Sequence, residues 1–174
     1  SKNAERKYAL KNIVDIARMF ESSKEKIIAV IDGDDSLCNS KTINYLLEAY
    51  KAGHDVVWTA HKWDINGMNI SSPLPKKMDP YFLQWASSHL RTFKSSLLKK
   101  VSNKNFKDMD GKWFKRGYDQ ALMLPLLKVC NSHHYIDKVC YLYNINSVSM
   151  TEREWTEKDQ INTVNLIRAR GFLK

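Results

Sequence analysis

Ile27-Ile28-Ala29-Val30-Ile31-Asp32-Gly33-Asp34-Asp35 is the stretch on which the fold reading turns. Its first five residues form a short, mostly β-branched apolar run, and such a run predicts a strand covered on both faces. Three carboxylates then crowd together where the strand emerges, which is electrostatically costly unless a cation or another positive partner is present. In an extended backbone Asp32 and Asp34 project to the same side, and Gly33 between them lets a bulky ligand approach the main chain. Hard divalent ions prefer oxygen ligands, so Mg²⁺ or Mn²⁺ held jointly by a carboxylate and a diphosphate is the natural chemistry. The C-terminal end of a strand is also where open α/β sheets bind ligands. The plain alternative is a solvated acidic turn, because aspartate favours turns generally.

On the N-terminal side, Leu10, Ile13, Val14, Ala17 and Phe20 recur at three- and four-residue steps, which predicts an amphipathic helix over 5–20. On the C-terminal side a second helix is expected, capped by Asn39 or Ser40, with Ile43, Leu46, Leu47 and Tyr50 as its inner face and Gly53 as its stop. A strand follows over 55–60, and Asn66-Gly67 signals a hairpin between 63–65 and 68–70. The proline-bearing stretch 71–79 reads as a surface loop, 96–100 as a short helix, and Met109-Asp110-Gly111 as a turn. A helix is expected over 119–129 despite Pro125, a strand over 139–145, and a last helix from a Thr156 cap to about Arg170. This order predicts an α/β fold in one domain spanning 1–174, its mixed sheet carrying an antiparallel extension and flanked by helices.

Composition bounds the function. The 174 residues are 43% hydrophobic and 11% aromatic, enough for one domain with a core and unlike a disordered chain. No apolar run approaches the roughly 20 residues that cross a bilayer, and no signal segment opens the sequence, so a soluble cytoplasmic protein is expected. Cys38, Cys130 and Cys140 are too few and too scattered for a disulfide framework or a zinc site. The 28 Lys and Arg against 19 Asp and Glu give +9, which favours an anionic partner. Ser1 stands first rather than Met, so the chain is expected to be a piece of something longer.

Three separated stretches together resemble family 2 glycosyltransferases of the GT-A (Rossmann-like) fold. They are the strand and D-x-D segment 27–37; His89-Leu90-Arg91-Thr92-Phe93-Lys94 with Leu97-Leu98; and Asp110-Gly111 with Gly117-Tyr118-Asp119-Gln120-Ala121-Leu122. The run Val139 to Asn144 and the following Ser147 to Met150 are similar to the strand and tail after that last motif. The resemblance implies a metal-dependent inverting transferase that moves a sugar from a nucleoside-diphosphate donor, most often UDP, to an acceptor hydroxyl. Asp34 would ligate Mn²⁺ or Mg²⁺, Asp32 would contact the donor ribose or the metal, and Asp119 would be the general base. Asp119 departs from the commoner Glu-Asp pair, since Tyr118 precedes it; it also suits a helix N-cap.

Gly33 and Arg91 are carried over to the donor side, as are Arg6 and Asn12, which also suit an exposed helix face. The positive balance makes a phosphate-bearing acceptor a reasonable expectation. Members of the family begin with a strand that holds the nucleoside base. That strand is absent here, so an N-terminal truncation or a second polypeptide supplying it is expected, with weak or no donor turnover by the chain alone. Two rivals stand beside this reading. An apolar strand followed by D-x-D also resembles the first motif of haloacid dehalogenase (HAD-like) phosphatases, with Asp32 as nucleophile and Asp34 as acid. A non-catalytic basic module that binds nucleic acid or another partner is the other. His133 and His134, adjacent in a strand, face opposite sides, and Trp58, Trp85 and Trp113 read as core aromatics rather than a stacking platform.

Overall fold

The computed structural model describes residues 6–20, 25–145 and 157–174. Five strands form one sheet in the order β1-β4-β3-β5-β2: β1 (Ile27–Val30), β2 (Ser36–Leu37), β3 (Val56–Trp63), β4 (Arg91–Lys94) and β5 (His133–Tyr143). Strand β4 runs antiparallel to both neighbours, β1 and β3, while β3 and β5 are parallel and β2 closes the far side antiparallel to β5. The helices are α1 (Tyr8–Arg18), α2 (Thr42–Lys51), α3 (Tyr118–Val129) and α4 (Glu157–Arg170). The architecture is therefore mixed α/β, as the element order predicts. No helix among the described residues is long and apolar enough to cross a membrane.

The strand buried on both faces is β3, not β1. Val56 and Trp58 belong to a core with α1 and α3, while Val57 packs into a second core with Leu46, Ala49 and Tyr141. Strand β1 lies at the edge of the described sheet and pairs only with β4; Ile27 and Ala29 are exposed, as is Ile31 just beyond it. A continuous apolar run thus sits on an edge, a position its residue types alone do not reveal. Helix α1 buries Leu10, Val14 and Ala17 as its spacing demands. Helix α2 is rotated from expectation: Leu46 and Ala49 face inward, whereas Ile43 and Leu47 are exposed.

The expected hairpin is half formed. The chain reverses through Asn66-Gly67, with the Trp63 N–H bonded to the Met68 carbonyl at 2.9 Å, but 68–70 is not a strand. Instead Asn69 Oδ1 accepts from the backbone N–H groups of His61 and Ser71, a local substitute for a ladder. Strand β5 begins at His133, well before the expected 139, because the stretch up to Lys138 extends the parallel pairing with β3. As expected, His133 and His134 diverge, one against Trp58 and the other stacked on His54. The cap expected at Thr156, and the 147–150 stretch, lie outside the described residues.

Two register shifts in the β3–β5 pairing, around Ala60, fall just before the C-terminal end of β5. Beyond them Tyr141 and Tyr143, two residues apart, project to one face at the sheet end, where the acidic loop after β1 arrives.

Candidate active site

The three carboxylates after β1 occupy different environments. Asp34 is exposed on the turn. Asp32 is half-buried: the Tyr118 hydroxyl donates to its Oδ1 at 2.6 Å and Arg91 Nη2 donates to its Oδ2 at 3.2 Å. Asp35 faces β5, where the Tyr141 hydroxyl donates to Oδ2 at 2.7 Å and the Asn144 N–H to Oδ1 at 2.8 Å. The same Tyr141 hydroxyl accepts from the Asp32 N–H at 3.0 Å, so one phenol fastens two points of the loop. Burial pushes the Asp35 carboxyl above the usual range, against those two hydrogen bonds.

Arg91 reaches this loop because the register sets it opposite Val30 of β1 and Trp58 of β3. Its side chain is 1% exposed. Burial works against its charge, but Tyr118, Asp32 and Asp119 around it outweigh that and raise its pKa. A buried guanidinium stripped of such partners would be strongly destabilising.

Asp119 is the second residue of α3, and Gly117, at φ 59°, turns the chain into that helix. Burial raises the Asp119 carboxyl, partly offset by Arg91 and by backbone N–H groups at the helix start. A carboxyl that holds its proton to higher pH is a stronger base once ionised.

His89 precedes β4 and is sandwiched between Tyr141 and Tyr143, with ring centroids 4.8 and 4.9 Å away. Burial, then Arg91 and His61, lowers its pKa to about 2, so its ring is neutral at ordinary pH. Among the described residues, one atom each of Asp32, Asp35 and His89 lie within 4.8 Å of one another, close enough to share an ion.

Asp32, Asp34, His89, Arg91 and Asp119 all line one cavity of about 550 Å³, a volume in the range of small-molecule sites. Trp63 and Tyr143 form an aromatic part of its wall, and Lys115 and Arg116 a cationic part. Gly33 is exposed on the turn between Asp32 and Asp34, and a side chain there would meet nothing within 4 Å, so its own fold does not demand glycine. Arg6 and Asn12 are outside the lining, where α1 contributes Ala9 instead; the Arg6 guanidinium lies 4.5 Å from the centre of the Tyr8 ring. Trp58 is fully buried in the core, as expected.

Sequence reasoning missed His89, Tyr118 and Tyr141 as site residues. His89 and Tyr118 stand within the stretches that carry the resemblance, but their partners lie on other elements. The aromatic wall was missed as well: Trp63 borders the Asn66-Gly67 turn, and only the return of β5 makes it part of a site.

No family model matches the chain, and no curated protein does. A solved structure of S. aureus TarS 1-349 is similar in fold, with 14% identity, 89% of this chain and 44% of that chain covered, and a TM-score of 0.50. A second structure of the same protein, in complex with UDP-GlcNAc, aligns with 14% identity over 85% and 44% of the two chains, at a TM-score of 0.48. The sheet and its flanking helices are GT-A-like. The chain spans less than half the length of the TarS structures it matches.

Proposed function

We propose that this chain carries the catalytic centre of a metal-dependent, inverting family 2-type glycosyltransferase that uses a nucleoside-diphosphate sugar, with UDP the expected nucleotide. One observation carries the reading: Asp32, Asp34, Arg91 and Asp119, drawn from three separate parts of the chain, line a single cavity. A GT-A-like fold raises the prior without assigning the chemistry. The residues also fit a divalent ion, since a carboxylate cluster is joined there by a buried imidazole nitrogen that has no hydrogen-bond partner among the described residues.

Asp34, exposed at the cavity wall, and Asp32 would hold Mn²⁺ or Mg²⁺ against the donor's diphosphate. When bound, such an ion neutralises the charge that develops on the leaving diphosphate. Arg91 fixes the Asp32 carboxylate, and Tyr118 couples it to the start of α3. Asp119 accepts the proton of the acceptor hydroxyl as that oxygen bonds to the anomeric carbon and the bond to the diphosphate oxygen breaks from the opposite face. Lys115 and Arg116 give the cavity a positive wall suited to a phosphate-bearing acceptor. The edge of β1, without a ladder partner among the described residues, could receive a further strand on the nucleoside side of the site, and the three thiols, none in a disulfide, suit a cytoplasmic setting.

Calorimetric titration with UDP tests this. Binding is expected to require Mn²⁺ or Mg²⁺ and to weaken about tenfold or more in Asp34→Asn, while Asp119→Asn retains it. Asp119→Asn should instead take the weak sugar transfer or donor hydrolysis expected of the chain down to background, the loss of a general base being worth about 10²–10⁴ in rate. UDP binding indifferent to chelator would overturn the metal-dependent reading in favour of a binding module. Phosphate release that dies with Asp32→Asn but survives Asp119→Asn would favour a phosphatase.

A further inference from the structure

His89 presents an unusual combination. Its ring is held rigidly between two tyrosines, the residue is 9% exposed, and its Nδ1 is buried with no hydrogen-bond partner among the described residues. That nitrogen faces Asp32 Oδ2 at 3.8 Å, too far for a hydrogen bond. Leaving a buried nitrogen unpaired costs about 1–3 kcal/mol. The nearest acceptor, Asp32 Oδ2, is too distant to relieve this cost, while the oxygens of Asp32 and Asp35, each accepting from a single donor among Arg91, Tyr118, Tyr141 and Asn144, keep a second lone pair for an ion. Two atoms bound to one ion at ~2.1 Å lie roughly 3.0–3.4 Å apart, so His89 Nδ1 and Asp32 Oδ2, 3.8 Å apart, need to close by about half an ångström, and the group as a whole, spread over at most 4.8 Å, by no more than about 1.5 Å.

We infer that His89 Nδ1 is a metal ligand, and that Asp32, Asp35 and His89 form a mixed nitrogen–oxygen site selecting Mn²⁺ over Mg²⁺. The inference rests on the metal-dependent transferase reading and deepens it, because that reading leaves the ion open between the two. Mg²⁺ prefers an all-oxygen shell and dehydrates reluctantly, whereas imidazole suits transition ions. The single guanidinium of Arg91 does not forbid the ion, since Asp32, Asp34 and Asp35 leave the loop net negative. The two tyrosine faces and the two hydroxyl-to-carboxylate bonds orient the ligands as outer partners do in built metal sites.

The test is pulsed electron paramagnetic resonance of the chain titrated with Mn²⁺ alone. Bound Mn²⁺ should show ¹⁴N coupling from one imidazole. His89→Phe keeps an aromatic ring between Tyr141 and Tyr143 but removes both nitrogens. In it the coupling should vanish, and Mn²⁺ affinity should fall about tenfold to a hundredfold. In the unaltered chain Mg²⁺ should displace Mn²⁺ only in large excess. Bound Mn²⁺ without nitrogen coupling, unchanged affinity in His89→Phe, or displacement by equimolar Mg²⁺ would each overturn the assignment. If Asp34→Asn abolishes Mn²⁺ binding while His89→Phe leaves it intact, this proposal fails and the sugar-transfer reading stands. No Mn²⁺ binding with or without UDP would remove both. Should His89→Phe not fold, the coupling in the unaltered chain decides alone.

Discussion

Gly117 holds φ 59°, and a Cβ built on it would stand 3.0 Å from Val164 Cγ2 of α4. Both the left-handed backbone and the contact oppose any side chain, and the next two residues are Tyr118 and Asp119. Gly117→Ala is therefore expected to cost about 1–3 kcal/mol in urea unfolding, with the Tyr118 hydroxyl shifted from Asp32. The proton acceptor has its own signature. Because burial raises Asp119, its ionised form accumulates only as pH climbs through a value above the ordinary carboxylate range. The acidic limb of a rate profile should be displaced upward accordingly. At this scale the sequence is generous with charge and silent about support. Asp32 and Asp34 stand out because carboxylates crowded at the end of an apolar run are conspicuous, whereas Arg91 and Asp119 enter only through the family resemblance. Tyr118, Tyr141 and His89 act on the acidic loop from 57 to 109 positions away, and no local pattern records such a partner.

Helix α4 buries Ile167 in the core and is held by several polar ties, Arg170 on the Lys104 carbonyl and Arg116 on Gln160 among them, of which Arg168 makes the densest set. Arg168 donates to Gln120 Oε1 at 2.7 Å and to the carbonyls of Tyr81 and Leu83 at 3.0 and 2.7 Å, joining α4, α3 and the turn at Pro80–Phe82. Arg168→Met removes three charge-assisted bonds and leaves their acceptors short of donors. An unfolding cost of about 2–3 kcal/mol is expected, against under about 0.5 for Lys158→Met on the same helix. Elements were legible where periodicity is strong, as in α1, or where length and apolarity are unambiguous, as in α3. What periodicity could not supply was orientation: α2 has the right span but turns Ile43 and Leu47 outward, and it is Leu46 and Ala49 that join the core under it. The same limit misplaced β1, whose composition matches a central strand.

The whole molecule keeps several histidines out of water. His61 is fully buried, and burial lowers its pKa to about 4; His54 and His133 are shifted the same way by the same cause. A folded-state pKa below the unfolded value near 6.5 means that the unfolded chain takes up the proton first. Their contribution is complete above pH ~6.5 and is lost as pH falls towards 4, by an amount of order 3 kcal/mol for His61. Urea midpoints at pH 7 and pH 4.5 should therefore diverge, and less so in His61→Gln.

The border strand β1 bears on handling as much as on chemistry. Its outer backbone groups have no described ladder partner, and the side chains along it, Ile27, Ile28, Ala29 and Val30, are all apolar. Uncapped rims of that kind recruit strangers. Stock solutions should cloud with crowding and clear on dilution, and an isoleucine-to-lysine change at Ile27 should keep them transparent by light scattering.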